Sequence, residues 1–174
     1  MTKEQKVMLF TASSLDGYIA TKDESLEWLF NVEGEGDNGI SEFYNDVDTV
    51  VMGKTTYDWI MRNDPTNFPD KDCYVFTHSS LEDENVTFIN ETPSDFISRM
   101  KVQERRKIWL VGGGKLVHSF LKENLIDELI ITIAPVILGT GIPLFNEEDY
   151  YFDLSLKRLR QFNQFVELHY VVKK

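Results

Sequence analysis

Apolar residues in this chain come in short runs broken by glycine and polar clusters. Val7, Met8, Leu9 and Phe10 open a run over 7–12 that is apolar on both faces, which predicts a central strand. Runs over 48–52, 73–76, 86–89, 107–111 and 127–136 predict further strands, with Pro135 marking an irregularity near the end of the last. Helical spacing lies between them. A short helix is predicted over 40–45, capped by Asp37 or Asn38, and another over 56–61. A third starts at Thr92 or Ser94 and runs to about Gln103. Leu116, Val117, Phe120 and Leu121 place a fourth just after three glycines. Two final runs, 154–162 and 165–172, predict an antiparallel hairpin turning near Asn163 and Gln164. Strands alternating with helices before a closing hairpin predict a mostly parallel α/β sheet with an antiparallel edge.

Three polar turns fall at the ends of predicted parallel strands: Gly53 to Thr56, Thr77 to Ser80 and Gly112 to Lys115. In an open α/β sheet, ligands bind beyond those ends. A strand, a glycine turn and a helix start together make an anion-holding device. The first N–H groups of a helix lack internal partners, and glycine lets a phosphate approach the backbone. A tight turn needing positive φ explains the glycines equally well. The run is not a P-loop, because Leu116 follows Lys115 where Ser or Thr belongs. It is also a poor Rossmann fingerprint, because Val117 replaces the third glycine.

Composition narrows the partners. The 174 residues suit one domain spanning 1–174, and 42% hydrophobic content argues against disorder. A net charge of −11 argues against nucleic acid or an anionic membrane as the main partner. The single cysteine, Cys73, excludes an internal disulfide and a cysteine metal cluster, and we assign no metal. No signal peptide or membrane span is legible, so we expect a cytoplasmic protein.

Four motifs, in order, carry a family resemblance: Ser14-Leu15-Asp16-Gly17-Tyr18-Ile19-Ala20, Val51-Met52-Gly53-Lys54-Thr55-Thr56-Tyr57, Val111-Gly112-Gly113-Gly114, and Asp127-Glu128-Leu129 with 134–145. Together they resemble the dihydrofolate-reductase superfamily, in the branch of the riboflavin-biosynthesis reductase C-terminal domain and its small stand-alone relatives. The resemblance covers roughly residues 7–172. It implies a three-layer fold on an eight-stranded, mostly parallel sheet, and NADPH as cofactor. It places Gly53, Lys54, Thr55 and Thr56 on the cofactor's phosphates, and Thr77, His78 and Ser79 beside the adenosine phosphate. Gly113, Gly114, Lys115 and Leu116 match the pyrophosphate turn, which in this family often holds a cis Gly-Gly bond. Ala12, Ile19 and Ala20 match the cover over the nicotinamide. On the substrate side, Asp37 falls near the family's catalytic carboxylate and Trp28 near an aromatic of the covering loop. Riboflavin-pathway reductases also need a basic site for a ribose phosphate, and none is legible here. With a first strand predicted at Val7, we expect no deaminase domain ahead of the fold.

The remaining candidates read as structural: His118 on a solvent-facing helix position, His169 in the last strand, and Asp16 as a turn former. His78 reads equally well as facing the cleft. The expected function is an NADPH-dependent reductase of a small heterocyclic or carbonyl substrate. The alternative is a nucleotide-binding protein of the same fold without fast turnover. Exposed apolar residues over 137–145 and in the hairpin predict a homodimer.

Overall fold

The structure, a computed structural model, describes residues 4–65, 68–104 and 107–174. Ten strands and five helices are described: β1 (Lys6–Ser14), β2 (Tyr18–Ala20), α1 (Glu27–Phe30), α2 (Ile40–Asp46), β3 (Thr49–Gly53), α3 (Lys54–Asn63), β4 (Asp72–Phe76), β5 (Thr87–Ile89), α4 (Pro93–Val102), β6 (Lys107–Gly112), α5 (Gly114–Lys122), β7 (Glu128–Ala134), β8 (Ile142–Pro143), β9 (Leu154–Phe162) and β10 (Phe165–Val172). Eight of the strands form one sheet in the order β5-β4-β3-β6-β1-β7-β10-β9. The first six of that order pair in parallel, and β10 runs antiparallel to both β7 and β9.

The alternation of side chains across this sheet builds two cores. Val7, Leu9, Val51, Ile108 and Leu110 face α4 and α5, where Phe96, Met100, Val117 and Phe120 are buried. Met8, Phe10, Val50, Met52 and Trp109 face the other way, toward Phe43 of α2, Ile60 of α3 and Phe68. The sheet is therefore the middle of three layers, and its central strands read as unbroken apolar runs because both faces are covered. No helix among the described residues is long and apolar enough to cross a membrane.

Several expected boundaries shift. The helix expected over 56–61 begins two residues earlier, at Lys54, directly at the glycine. The strand expected over 127–136 ends before Pro135, which lacks the N–H a continuing ladder needs. Within the glycine-containing stretch 137–145, where no strand is expected, Ile142–Pro143 form β8, which pairs with β2 in a separate two-stranded sheet. Asp16 does more than form a turn. Its carboxylate accepts from the Ser14 hydroxyl and from the Leu138 and Gly139 N–H groups, tying 13–17 to 137–139. His169 is structural as expected. It is buried with Nε2 2.9 Å from Glu128 Oε1, and burial pushes its pKa down.

Candidate functional site

A cavity of about 1300 Å³ opens along the C-terminal ends of the parallel strands. It reaches from Asn90 and Glu91 beyond β5, past the ends of β4, β3, β6 and β1, to Thr132 of β7 and Phe165 of β10. Ordinary single-ligand pockets hold about 300–1,000 Å³, so this one has room for an extended ligand and a second small molecule.

Its middle is built by two strand-glycine-helix junctions side by side. At each, an apolar strand buried in the sheet ends in glycine and a helix of nine or more residues begins at once. Gly53 is the N-cap of α3 and Gly113 the N-cap of α5. Neither start has a side-chain cap, and neither first turn holds an acidic residue. The unpartnered N–H groups and the positive end of both dipoles therefore face one cavity. Thr55 and Thr56 add hydroxyls there, and Lys54 and Lys115 add positive charge.

The glycines have separate jobs. Gly112 has φ +138, a backbone that side chains rarely adopt. The expectation of positive φ is thus met at Gly112, and Gly113 sits at φ −75. A Cβ on Gly113 would lie 3.4 Å from the Thr56 hydroxyl, inside the cradle between the two helix starts. A Cβ on Gly114 would lie 2.8 Å from the Pro143 carbonyl, so that glycine lets α5 pass under β8. The Gly112–Gly113 peptide is cis.

Every residue that the resemblance assigns to the cofactor side lines this cavity. Ala12 of β1 and Ile19 and Ala20 of β2 line one part of the wall. Gly53, Lys54, Thr55 and Thr56 lie across from Gly113, Gly114, Lys115 and Leu116. Thr77, His78 and Ser79 lie past β4, where Ser79 N–H donates to the Thr77 hydroxyl and His78 Nδ1 sits 3.0 Å from Asn90 Oδ1. An anionic dinucleotide fits this donor set: two open helix starts, two hydroxyls and two ammonium groups on one cavity wall.

Three expected placements are corrected, those of Asp37, Trp28 and His118. Asp37 is not on the cavity wall. Its carboxylate accepts from the Gly39 and Ser41 N–H groups, capping α2, and the Ser41 hydrogen bonds hold its pKa below the usual range. Asn38, also named as a cap, instead accepts from Glu35 N–H and does line the wall. Trp28 lies off the wall too, with its indole N–H donating to the Ser25 carbonyl. Lys54 reaches the wall, but its ammonium lies 2.6 Å from Asp58, one helical turn away. His118 is half-buried, with Nε2 3.4 Å from Glu148 and Nδ1 buried without a partner.

Sequence reasoning missed the aromatic end of the cavity. Phe10, Trp59, Phe68 and Trp109 wall it from the sheet and α3, and Leu26, Leu29 and Phe30 close it from the α1 segment. The available signal was the aromatic content of 24–30 and of α3, which exceeds what those short elements bury.

The sequence pattern of the RibD C-terminal domain matches residues 5–168. YwjB of Bacillus subtilis, a protein of uncharacterized activity, is 52% identical over 172 residues, covering 97% of this chain and 98% of its own. YyaP of the same organism is 30% identical over 174 residues, covering 92% and 91%. Among solved structures, a protein from Shewanella sp. PV-4 named for riboflavin biosynthesis superposes with a TM-score of 0.89 at 30% identity, over 97% of this chain and 99% of that one. A Thermotoga maritima deaminase/5-amino-6-(5-phosphoribosylamino)uracil reductase shares the fold at 13% identity and a TM-score of 0.76, over 98% of this chain and 57% of that longer one. The chain belongs to the RibD C-terminal domain family and has its dihydrofolate-reductase-like fold.

Proposed function

We propose that this protein is an NADPH-dependent reductase acting on a small heterocyclic or carbonyl substrate. The observation that carries this reading is the pair of uncapped helix starts opening into a cavity that continues into an apolar end. When bound, the cofactor supplies hydride to the electrophilic carbon of a C=O or C=N group, whose heteroatom takes a proton from water. The chain's own residues do the holding. The N–H groups at Lys54–Thr55 and Gly114–Lys115 bind the diphosphate, and Thr56 sits between them. The Lys54 ammonium is the main reader of the adenosine phosphate, with Thr77 and Ser79 hydrogen-bonding to it. Ile19 and Ala20, carried on the β2–β8 sheet, exclude water above the nicotinamide.

A second reading is a nucleotide-binding protein without fast turnover. It is favoured by one observation: in the aromatic end, the ionisable side chain on the wall is Glu24, which pairs with Arg62 at 3.3 Å. Among the described residues, no free acid sits there to hand over a proton. Calorimetric titration with NADPH, followed by NADPH-oxidation assays against pterins, flavin precursors and carbonyls, separates the two. Binding with oxidation supports the reductase, and binding without oxidation supports the second reading. Absence of binding overturns both.

We also place a second copy of the chain on the outer face of the C-terminal hairpin. Leu156 and Leu159 of β9 are 54% and 59% exposed there, beside Leu154 and Val166. A lone edge strand with such a face invites pairing. Sedimentation should give a dimer mass that Leu159→Glu reduces to a monomer. A monomer for the unchanged protein across micromolar concentrations would remove the dimer.

A further inference from the structure

The two ends of the cavity differ in chemistry, and the difference names a substrate class. Among the described residues on the wall, the ammonium groups are those of Lys54 and Lys115, both at the glycine junctions. The other end has two aromatic walls. Trp109 meets Phe10 and Phe68 edge-on, with ring centroids at 5.8 and 5.3 Å. Phe30 and Trp59 lie 6.5 Å apart with their planes tilted by 35°. Phe30 is 67% exposed although it lines the cavity, so its ring has a free face.

The ionisable side chain on the wall of this end is an acid, Glu24. Glu24 is held on the wall by a tight turn in which its N–H donates to the Thr21 carbonyl, with its own φ at +65. Its ion-pair partner, Arg62, is not among the residues that line the cavity. A phosphate carries up to two negative charges. Burying it here would strip its water and set it near a carboxylate, with no Lys or Arg among the described residues that wall this end, within a chain of net charge −11. A flat ring meets the opposite conditions. Aromatic faces and edges pack on it, and Thr132 and Asn38 on the wall can hydrogen-bond its edge.

We infer that the aromatic end takes a flat, uncharged heterocycle without a phosphate, and that this chain therefore does not act on a phosphoribosyl substrate. As a statement about the hydride acceptor, this rests on the reductase reading above. Phe30 and Trp59 are the specificity-determining side chains, stacking on the ring.

Three probes with one ring system separate the outcomes: lumiflavin, riboflavin, and riboflavin 5′-phosphate. Equilibrium dialysis against protein saturated with NADP+ keeps the glycine junctions filled. Lumiflavin should bind, with riboflavin similar and the 5′-phosphate at least about tenfold weaker. Phe30→Ala should weaken lumiflavin several-fold and leave both the melting temperature and NADP+ affinity unchanged. Equal or tighter binding of the 5′-phosphate would overturn the inference, as would no binding of any probe or no effect of Phe30→Ala. NADP+ binding is measured separately. Were it absent, while cofactor-free protein still bound lumiflavin in a Phe30-dependent way, the ring site would stand and its role as hydride acceptor would fall.

Discussion

Two kinds of helix start stand on the same sheet edge. α4 closes its own. The Thr92 hydroxyl accepts from Asp95 N–H, Pro93 occupies the first turn, and Glu123 accepts from Ser94 N–H. Asp95 also sets a negative charge against the dipole. α3 and α5 have glycine at the N-cap, no capping side chain and no acid in the first turn. A cap is worth about 1 kcal/mol, so each open start forgoes stability that α4 has. The open pair faces the middle of the cavity and the closed one stands at its far end. Two helix starts left uncapped beside glycine thus mark the middle of the cavity.

The comparison breaks most sharply if an open start is made to resemble the closed one. Lys115→Glu puts an acid in the first turn of α5, which favours the helix by about 0.3–1 kcal/mol. It also removes a cation from the phosphate track. NADPH affinity should fall about a hundredfold or more, with the melting temperature unchanged or raised. Unchanged affinity by calorimetry would take α5 out of the site.

Next in size is Lys54→Ala. Losing one charge-assisted contact should weaken NADPH by about tenfold or more and leave NADH nearly unchanged. NADPH affinity should also fall with added salt. Equal losses for both cofactors would move Lys54 to the shared diphosphate. Thr92→Ala tests the closed start. It should cost about 1 kcal/mol, or roughly 2–4 °C in melting temperature, without changing NADPH binding. The smallest effect is Asp58→Asn. The Lys54–Asp58 pair is a partly exposed i,i+4 contact, worth a few tenths of a kcal/mol to the helix. Freeing Lys54 should tighten NADPH about two- to threefold, and a weaker complex would show that Asp58 orients Lys54 instead of competing for it.

Much of the fold is legible in the chain because local and global signals agree. Each central strand is apolar on both faces, and Asn163, at φ +56, makes the expected hairpin turn. Motifs at strand ends pointed to residues that line one cavity. Asp37 and Trp28 lie off the wall because side-chain placement there is not decided locally. Asp37 is a carboxylate near the right point in the sequence, yet two N–H groups of its own turn take it. Trp28 is an aromatic in the covering segment, yet it turns back to Ser25.

The sequence by itself determined which strands lie inside the sheet, where their glycine turns fall and that the chain is acidic. Those follow from side-chain periodicity and backbone freedom, which act over a few residues. Tertiary structure alone decided that Phe10, Phe30, Trp59, Phe68 and Trp109, up to 99 positions apart, wall one cavity end. It also decided that Lys54 finds Asp58 before any ligand. Apolar residues carry no mark of whether they will fill a core or line a cavity. Only the packing of the surrounding elements leaves Phe30 with one face uncovered.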